Sequence, residues 1–288
     1  MTFWKDLDEI VYRALHEDLA SGDITTSSTV APDAMGIAEA MAKGQLVMSG
    51  GEVFARCFHL VHPGCRVEQV TPDGASVAEG STLLIAEGPT WALLQAERTA
   101  LNFIQRLCGV ATLTRKYVDA AGGSVRICDT RKTTPLLRQL ERKAVRDGGG
   151  FNHRDNLGCA VLIKDNHIAA AGSVQNALAL AKASAPHTSK IEIEVTSLTQ
   201  VDEALRHGAD ILLLDNMSDD QTIEAIQLVN GKAYIELSGN MTLDRVKAVS
   251  GWGAQAVSVG ALTHSAPAAD ISLKLRPVES GAPRVITG

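Results

Sequence analysis

The chain has 288 residues, of which 45% are hydrophobic and 4% aromatic, and its formal net charge is -6. That length suits one large domain or two unequal ones, and the apolar fraction is enough for a sizeable core. An acidic balance with so few aromatic rings excludes a nucleic-acid surface, and no apolar run approaches the ~20 residues of a membrane span.

The opening stretch, MTFWKDLDEIVYRALHEDL, is too charged for a secretion signal, so a cytoplasmic protein without nucleic-acid or membrane partners is the expectation. Residues 4–19 set Leu7, Ile10, Val11, Ala14 and Leu15 at helical spacing, and SGDITTSS breaks that helix. From Gly36 to Gly88 short alternating runs with turn signals, such as Pro72-Asp73-Gly74, predict a small sheet. A helix over about 90–107 follows, with Leu94, Leu101, Ile104 and Leu107 on one face and Arg98 off it, where it reads as an ordinary surface arginine. The five cysteines (Cys57, Cys65, Cys108, Cys128, Cys159) are odd in number and never C-x-x-C. They read as buried free thiols.

Past Gly122 six apolar, β-branched-rich runs recur between helix-like stretches: VRICD, AVLIK, KIEIEV, ADILLLD, AYIELSG and AVSVGA. That is the pattern of repeated β-α units on a parallel sheet covered on both faces. Six strands, with room for one more, predict a closed or nearly closed α/β barrel; an open doubly wound sheet is the alternative. The expected partition is an α/β domain over 1–121, a barrel domain over 122–276 and a patternless tail over 277–288. What ends each run is informative: Asp129 through Lys132, Lys164, Glu194, Asp215, Glu236 with Ser238, and Ser258 with Gly260. In a β-α barrel such residues converge at the carboxyl ends of the strands.

Between Arg126 and Arg154 eight Lys or Arg face three acids, in a chain that is acidic as a whole. A cleft lined by one sign of charge concentrates the other, so an anionic ligand is expected. Thr134-Pro135 predicts a helix start and Gly148 its end, with Arg138, Arg142 and Arg146 on a face that solvation alone would also explain. Arg131, Lys132, His153, Arg154 and Lys164 fall instead beside strand ends or in a Gly-rich loop. The turns at Gly239-Asn240 and at Leu262 to Ser265 offer free N–H groups to a phosphate, or are plain capping turns. Glu194 and Asp215 suit Mg2+ with phosphate oxygens, sugar hydroxyls, or a buried ion pair.

The ordered motifs DTRKTTP, GGGFNHR, LIKDNHI, IEIEV, LLLDNMS, ELSGN and SVGALTHS, with EDLASGDITT and ERTALNFIQRLCGVAT before them, closely resemble the quinolinate phosphoribosyltransferase family, also called nicotinate-nucleotide pyrophosphorylase (carboxylating). The resemblance runs from about Asp18 to Leu273. It implies a small α/β sandwich domain packed on a seven-stranded α/β barrel, in a homodimer whose sandwich domain covers the partner's barrel mouth. The implied reaction joins quinolinate to phosphoribosyl pyrophosphate with Mg2+, giving nicotinate mononucleotide, pyrophosphate and carbon dioxide in NAD biosynthesis. Arg131, His153, Arg154 and Lys164 match quinolinate-binding positions, joined by Arg98 from the neighbouring subunit. Lys132, Glu194 and Asp215 match positions for phosphoribosyl pyrophosphate and its magnesium, and Ser238, Gly239, Ser258, Gly260 and His264 match the 5′-phosphate loops. Leu136, Phe151 and Asn240 depart from the family pattern without removing a charged ligand. A non-catalytic relative and a phosphoribosyltransferase acting on nicotinate are the rival readings.

Overall fold

The structure, a computed structural model, describes residues 2–278. Its contacts form two compact units that interleave along the chain. The first holds the described residues up to Thr112, Pro135–Gly148 and those from Ala266 onward; the second holds Leu113–Thr134 and Gly149–Ser265. Most of the expected tail, from residue 279, lies outside the described residues.

The first unit runs α1 (Thr2–Leu19), α2 (Ile24–Thr29), β1 (Met35–Ala42), β2 (Leu46–Val47), α3 (Gly51–Val61), β3 (Arg66–Gln69), β4 (Ser76–Val77), β5 (Thr82–Pro89) and α4 (Thr90–Ala121). The stripe of α1 is real, since Leu7, Val11 and Leu15 are buried one turn apart. α2 starts where the Asp23 carboxylate accepts the Thr26 N–H at 2.9 Å. β1 alternates strictly, burying Gly36, Ala38, Ala40 and Ala42. It lies between β5 and a strand at Ile271–Pro277, both antiparallel, and β3 completes the sheet beyond β5. The expected barrel domain included Ile271–Arg276; here they pair with β1 of the first unit.

α4 continues past the expected end near Leu107 because Val110, Ala111, Thr114, Tyr117 and Ala121 extend its buried stripe. A mid-helix glycine costs about 1 kcal/mol against alanine. At Gly109 nothing larger fits, since a Cβ there would lie 2.0 Å from the Pro267 carbonyl oxygen. α5 (Arg138–Asp147) also belongs to this unit. It starts three residues after Pro135, because Leu136 takes a left-handed φ of 68° that no α-helix contains. Of its three arginines, Arg146 is exposed and Arg142 is buried. Beside Arg142, the fully buried Glu141 accepts two bonds from the Arg106 guanidinium at 3.0 and 2.9 Å.

The second unit runs β6 (Arg126–Cys128), β7 (Val161–Ile163), α6 (Asp165–Ala171), α7 (Val174–Ser184), β8 (Ile191–Val195), α8 (Leu198–Arg206), β9 (Ile211–Asp215), α9 (Asp219–Val229), β10 (Tyr234–Ser238), α10 (Leu243–Val249), β11 (Ala256–Ser258) and α11 (Ala261–His264). The six strands are the six apolar runs, and they form one parallel sheet in the order β6-β11-β10-β9-β8-β7. The room left for a seventh strand is taken by one residue, Phe151, bridged parallel to Cys128. Among the described residues no ladder joins Phe151 to β7, so a seven-stranded closure is not drawn in hydrogen bonds. Ser173, Ser197, Ser218 and Thr242 each accept an N–H of the following helix, which fixes the starts of α7 to α10.

Four cysteines are buried as expected, but Cys159 is exposed in the loop before β7. Burial pushes the thiols of Cys57 and Cys108 up to about 12 and that of Cys65 up to about 11. Among the described residues no helix is long and apolar enough to cross a membrane.

Candidate active site

Parallel strands in register bring their carboxyl ends to one level. Glu194 on β8 and Glu236 on β10 are both paired with Leu213 on the β9 strand between them. Around that row opens a cavity of about 570 Å3. Its walls are Thr130, Arg131 and Lys132 after β6, His153 and Arg154 after the Phe151 bridge, Leu162 with Lys164 from β7, and Glu194. Leu213, Asp215, Asn216, Glu236, Ser238, Gly239, Asn240 and Ser258 complete it. Ten residues expected from sequence therefore share one hollow.

The loop that carries His153 and Arg154 is tied from beneath by Asp129. This fully buried carboxylate accepts the His153 N–H at 2.7 Å and the Asn152 side-chain amide at 2.6 Å. Phe151 adds backbone bonds on both sides of Cys128, from its N–H to Ile127 O at 2.8 Å and from Asp129 N–H to its carbonyl at 3.0 Å.

The cationic wall is not self-neutralised. Arg131 Nε is buried without a hydrogen-bond partner. Burial, and then the charge of Arg131, lower the pKa of Arg154, whose guanidinium donates to the Ala160 carbonyl at 3.3 Å. Two guanidiniums this close favour an anion between them. Lys164 Nζ, by contrast, lies 2.8 Å from Glu194 Oε2.

On the opposite strands the backbone is shaped for close approach. Gly239 has φ 88°, and a Cβ there would fall 2.3 Å from Asn216 Oδ1. Asn216 and Asn240, flanking it, take left-handed φ values of 53° and 46°, a region asparagine tolerates better than most residues. The Asn216 amide donates to Asp215 Oδ2 at 2.8 Å and accepts from Asn240 at 3.3 Å, which holds the carboxylate in place. Gly260 and His264 stand outside the cavity lining but against Lys132: a Cβ on Gly260 would be 3.1 Å from both side chains. The Thr263 hydroxyl donates to the Lys132 carbonyl at 2.8 Å. Arg98 is exposed on α4 in the first unit.

Sequence reasoning gave no role to Glu192 and named Glu236 only as a strand end. Both are buried, and His153 Nε2 lies 3.3 Å from Glu192 Oε2 and 3.4 Å from Glu236 Oε1. Burial opposes charge on the ring, but the bonds and charges of the two acids outweigh it and push the His153 pKa up to about 10. Burial, with help from the Glu236 charge, raises that of Glu192. The signal was the IEIEV alternation, which puts Glu192 on the same strand side as Glu194. The three donor atoms lie within 4.8 Å of one another, a spacing that would also admit a metal ion. Glu194 and Asp215 offer the hard oxygens magnesium takes.

The family profile described as quinolinate phosphoribosyl transferase, C-terminal domain, matches residues 110–274, and the one described as its N-terminal domain matches residues 23–108. A Mycobacterium leprae protein named nicotinate-nucleotide pyrophosphorylase (carboxylating) is 42% identical over 93% of this chain and 96% of its own length. A Nicotiana glauca protein named quinolinate phosphoribosyltransferase (decarboxylating) 2, mitochondrial, is 37% identical over 94% of this chain and 82% of its own. The crystal structure of NadC from Streptococcus pyogenes superposes with a TM-score of 0.91 at 42% identity, covering 95% of this chain and 97% of that one.

Proposed function

The chain belongs to the quinolinate phosphoribosyl transferase family, and from that premise we infer that it transfers phosphoribosyl from phosphoribosyl pyrophosphate to quinolinate with loss of carbon dioxide. The products are nicotinate mononucleotide, pyrophosphate and carbon dioxide, a step of NAD biosynthesis. The observation that carries the reading is the cavity itself, where Arg131 and Arg154 stand side by side with a buried guanidinium nitrogen left unbonded.

Quinolinate brings two carboxylates, which planar guanidiniums receive better than ammonium groups do. Arg131, Arg154 and Lys164 take them. Lys132, Glu194 and Asp215 face the phosphoribosyl group, and Ser238, Gly239, Ser258, Gly260 and His264 receive its 5′-phosphate. Where magnesium binds, Glu194 and Asp215 would hold it, and it neutralises charge on the departing pyrophosphate.

The ring nitrogen attacks the anomeric carbon as the bond to pyrophosphate breaks. Positive charge develops on the ribose, and the Glu194 and Asp215 carboxylates stabilise it. The pyridinium then stabilises the carbanion left when the 2-carboxylate departs as carbon dioxide, and that carbon takes up one proton. Lys164 aligns this carboxylate or supplies that proton. Arg98 reaches the site of a second subunit in a homodimer.

Purified protein supplied with quinolinate, phosphoribosyl pyrophosphate and Mg2+ should release nucleotide and carbon dioxide in equal amounts. Product from nicotinate without carbon dioxide would instead support the nicotinate-specific rival. For the shared site, Arg98→Ala and Lys164→Ala chains mixed in one dimer should recover activity that neither has alone. Verified mixed dimers without recovery would refute it.

A further inference from the structure

The family resemblance places His153 among the groups that touch quinolinate, yet both of its ring nitrogens are already occupied. Nδ1 accepts the Arg154 N–H at 2.7 Å, and Nε2 faces the carboxylates of Glu192 and Glu236 at 3.3 and 3.4 Å. The backbone N–H of His153 is taken as well, by Asp129 at 2.7 Å. No polar atom of the imidazole is left for a ligand carboxylate. The two acids are nearly inaccessible, and each keeps an oxygen without a hydrogen-bond partner. Glu236 lines the cavity, so its charge faces the space in which a dianion has to bind.

We propose that His153 is a positioning residue: its Nε2–H covers the Glu192–Glu236 acid pair and its Nδ1 orients the Arg154 backbone, leaving the substrate carboxylates to Arg131, Arg154 and Lys164. The proposal rests on the quinolinate reading of the same cavity. The acids are tolerable in the wall of an anion site only while the ring stands on them. Two unit charges ~4 Å apart interact by about 4 kcal/mol at the effective dielectric of a partly screened site. The other charged groups that act on the trio are the Arg154 guanidinium and Asp129, the latter bound to the same loop. A uniformly basic wall would not need this arrangement. In this one the strand alternation that delivers Glu194 also delivers Glu192, and the ring covers the acid that alternation brings with it.

The test removes the ring and the acids separately and together. His153→Ala should raise KM for quinolinate by about tenfold or more, because one partner of a buried pair is gone and the other is left charged. Glu192→Gln with Glu236→Gln should leave that KM within about threefold of the parent, since neutral amides no longer repel the substrate. The triple variant should then recover most of the quinolinate KM and most of the lost Tm. A merely structural ring would shift Tm without moving KM, and a ring that touches quinolinate would show the same tenfold loss in the triple variant; either result overturns the proposal. A drop in the Tm of the parent protein on adding chelator would mark the trio as a metal site and overturn it too. If His153→Ala does not fold, the Glu192→Gln, Glu236→Gln protein decides alone, a tenfold rise in KM counting against. A parent protein that makes no nucleotide at all is a different failure, that of the functional reading.

Discussion

Two clusters of charge in this protein are built from similar residues and do opposite things. In the first unit Lys143 Nζ lies 2.5 Å from Asp73 and 2.7 Å from Asp147, and the Ser49 hydroxyl donates to the same Asp147 oxygen at 2.7 Å. Burial works against the Lys143 charge, but the bonds to Asp147 and Asp73 outweigh it and its pKa is raised. In the second unit Arg131 and Arg154 press cation against cation, and the nearest effect is to lower Arg154. A charge that has found its partner within the fold serves the fold. A cation whose neighbour is another cation, with a nitrogen left unbonded, serves something that arrives from outside.

That contrast predicts which substitutions separate activity from stability. The largest effect belongs to Arg131→Ala, which should lower kcat/KM by about a thousandfold, the loss expected when a carboxylate ligand is removed from a desolvated site. Its Tm should stay level or rise, because the neighbouring Arg154 is relieved; a fall in Tm that accounts for the lost activity would erase the distinction. Lys143→Met should do the reverse. Leaving Asp73 and Asp147 together without their cation should cost about 2 kcal/mol of unfolding free energy, below the full penalty for a buried pair because Lys143 retains some solvent contact. Denaturant melts give that number, and KM for both substrates should not move.

A smaller effect sharpens the same comparison. Glu52, next to the Lys143 cluster, has its pKa raised chiefly by burial, and one of its oxygens has no hydrogen-bond partner. Because the folded pKa lies above the unfolded one, folding is favoured more while the group is protonated, and the advantage is lost as pH rises through the raised value. Glu52→Gln should therefore raise Tm at pH 7, with the gain shrinking as pH falls toward 4. A gain that grows on acidification would show that Glu52 is stabilised as a carboxylate instead.

Much of this was readable in the residues, for physical reasons. Every strand of the parallel sheet is an apolar run, and every lining residue named from sequence sits at the end of one or in the loop beside it, because β-α repeats leave polar side chains only one open end to occupy. Serine and threonine N-caps marked the starts of α7 to α10 equally well. What escaped reading were long-range pairings and backbone signs. Ile271–Pro277 resembles any short strand until β1 is known to have a free edge. Leu136 looks like a first-turn helix residue beside Pro135, and only the folded chain reveals its positive φ. Glu192 was hidden by its neighbour: in IEIEV the eye stops at the terminal glutamate, although a period of two assigns both to one side.

The most direct test of the unmatched-cation site is a calorimetric titration of quinolinate, and of nicotinate in parallel, into the parent protein and Arg131→Ala. Quinolinate should bind the parent at least about tenfold more tightly than nicotinate, a difference of ~1.4 kcal/mol for the second carboxylate, and that preference should vanish in the variant. Equal affinity for the mono- and dicarboxylate, or full quinolinate binding without Arg131, would contradict it.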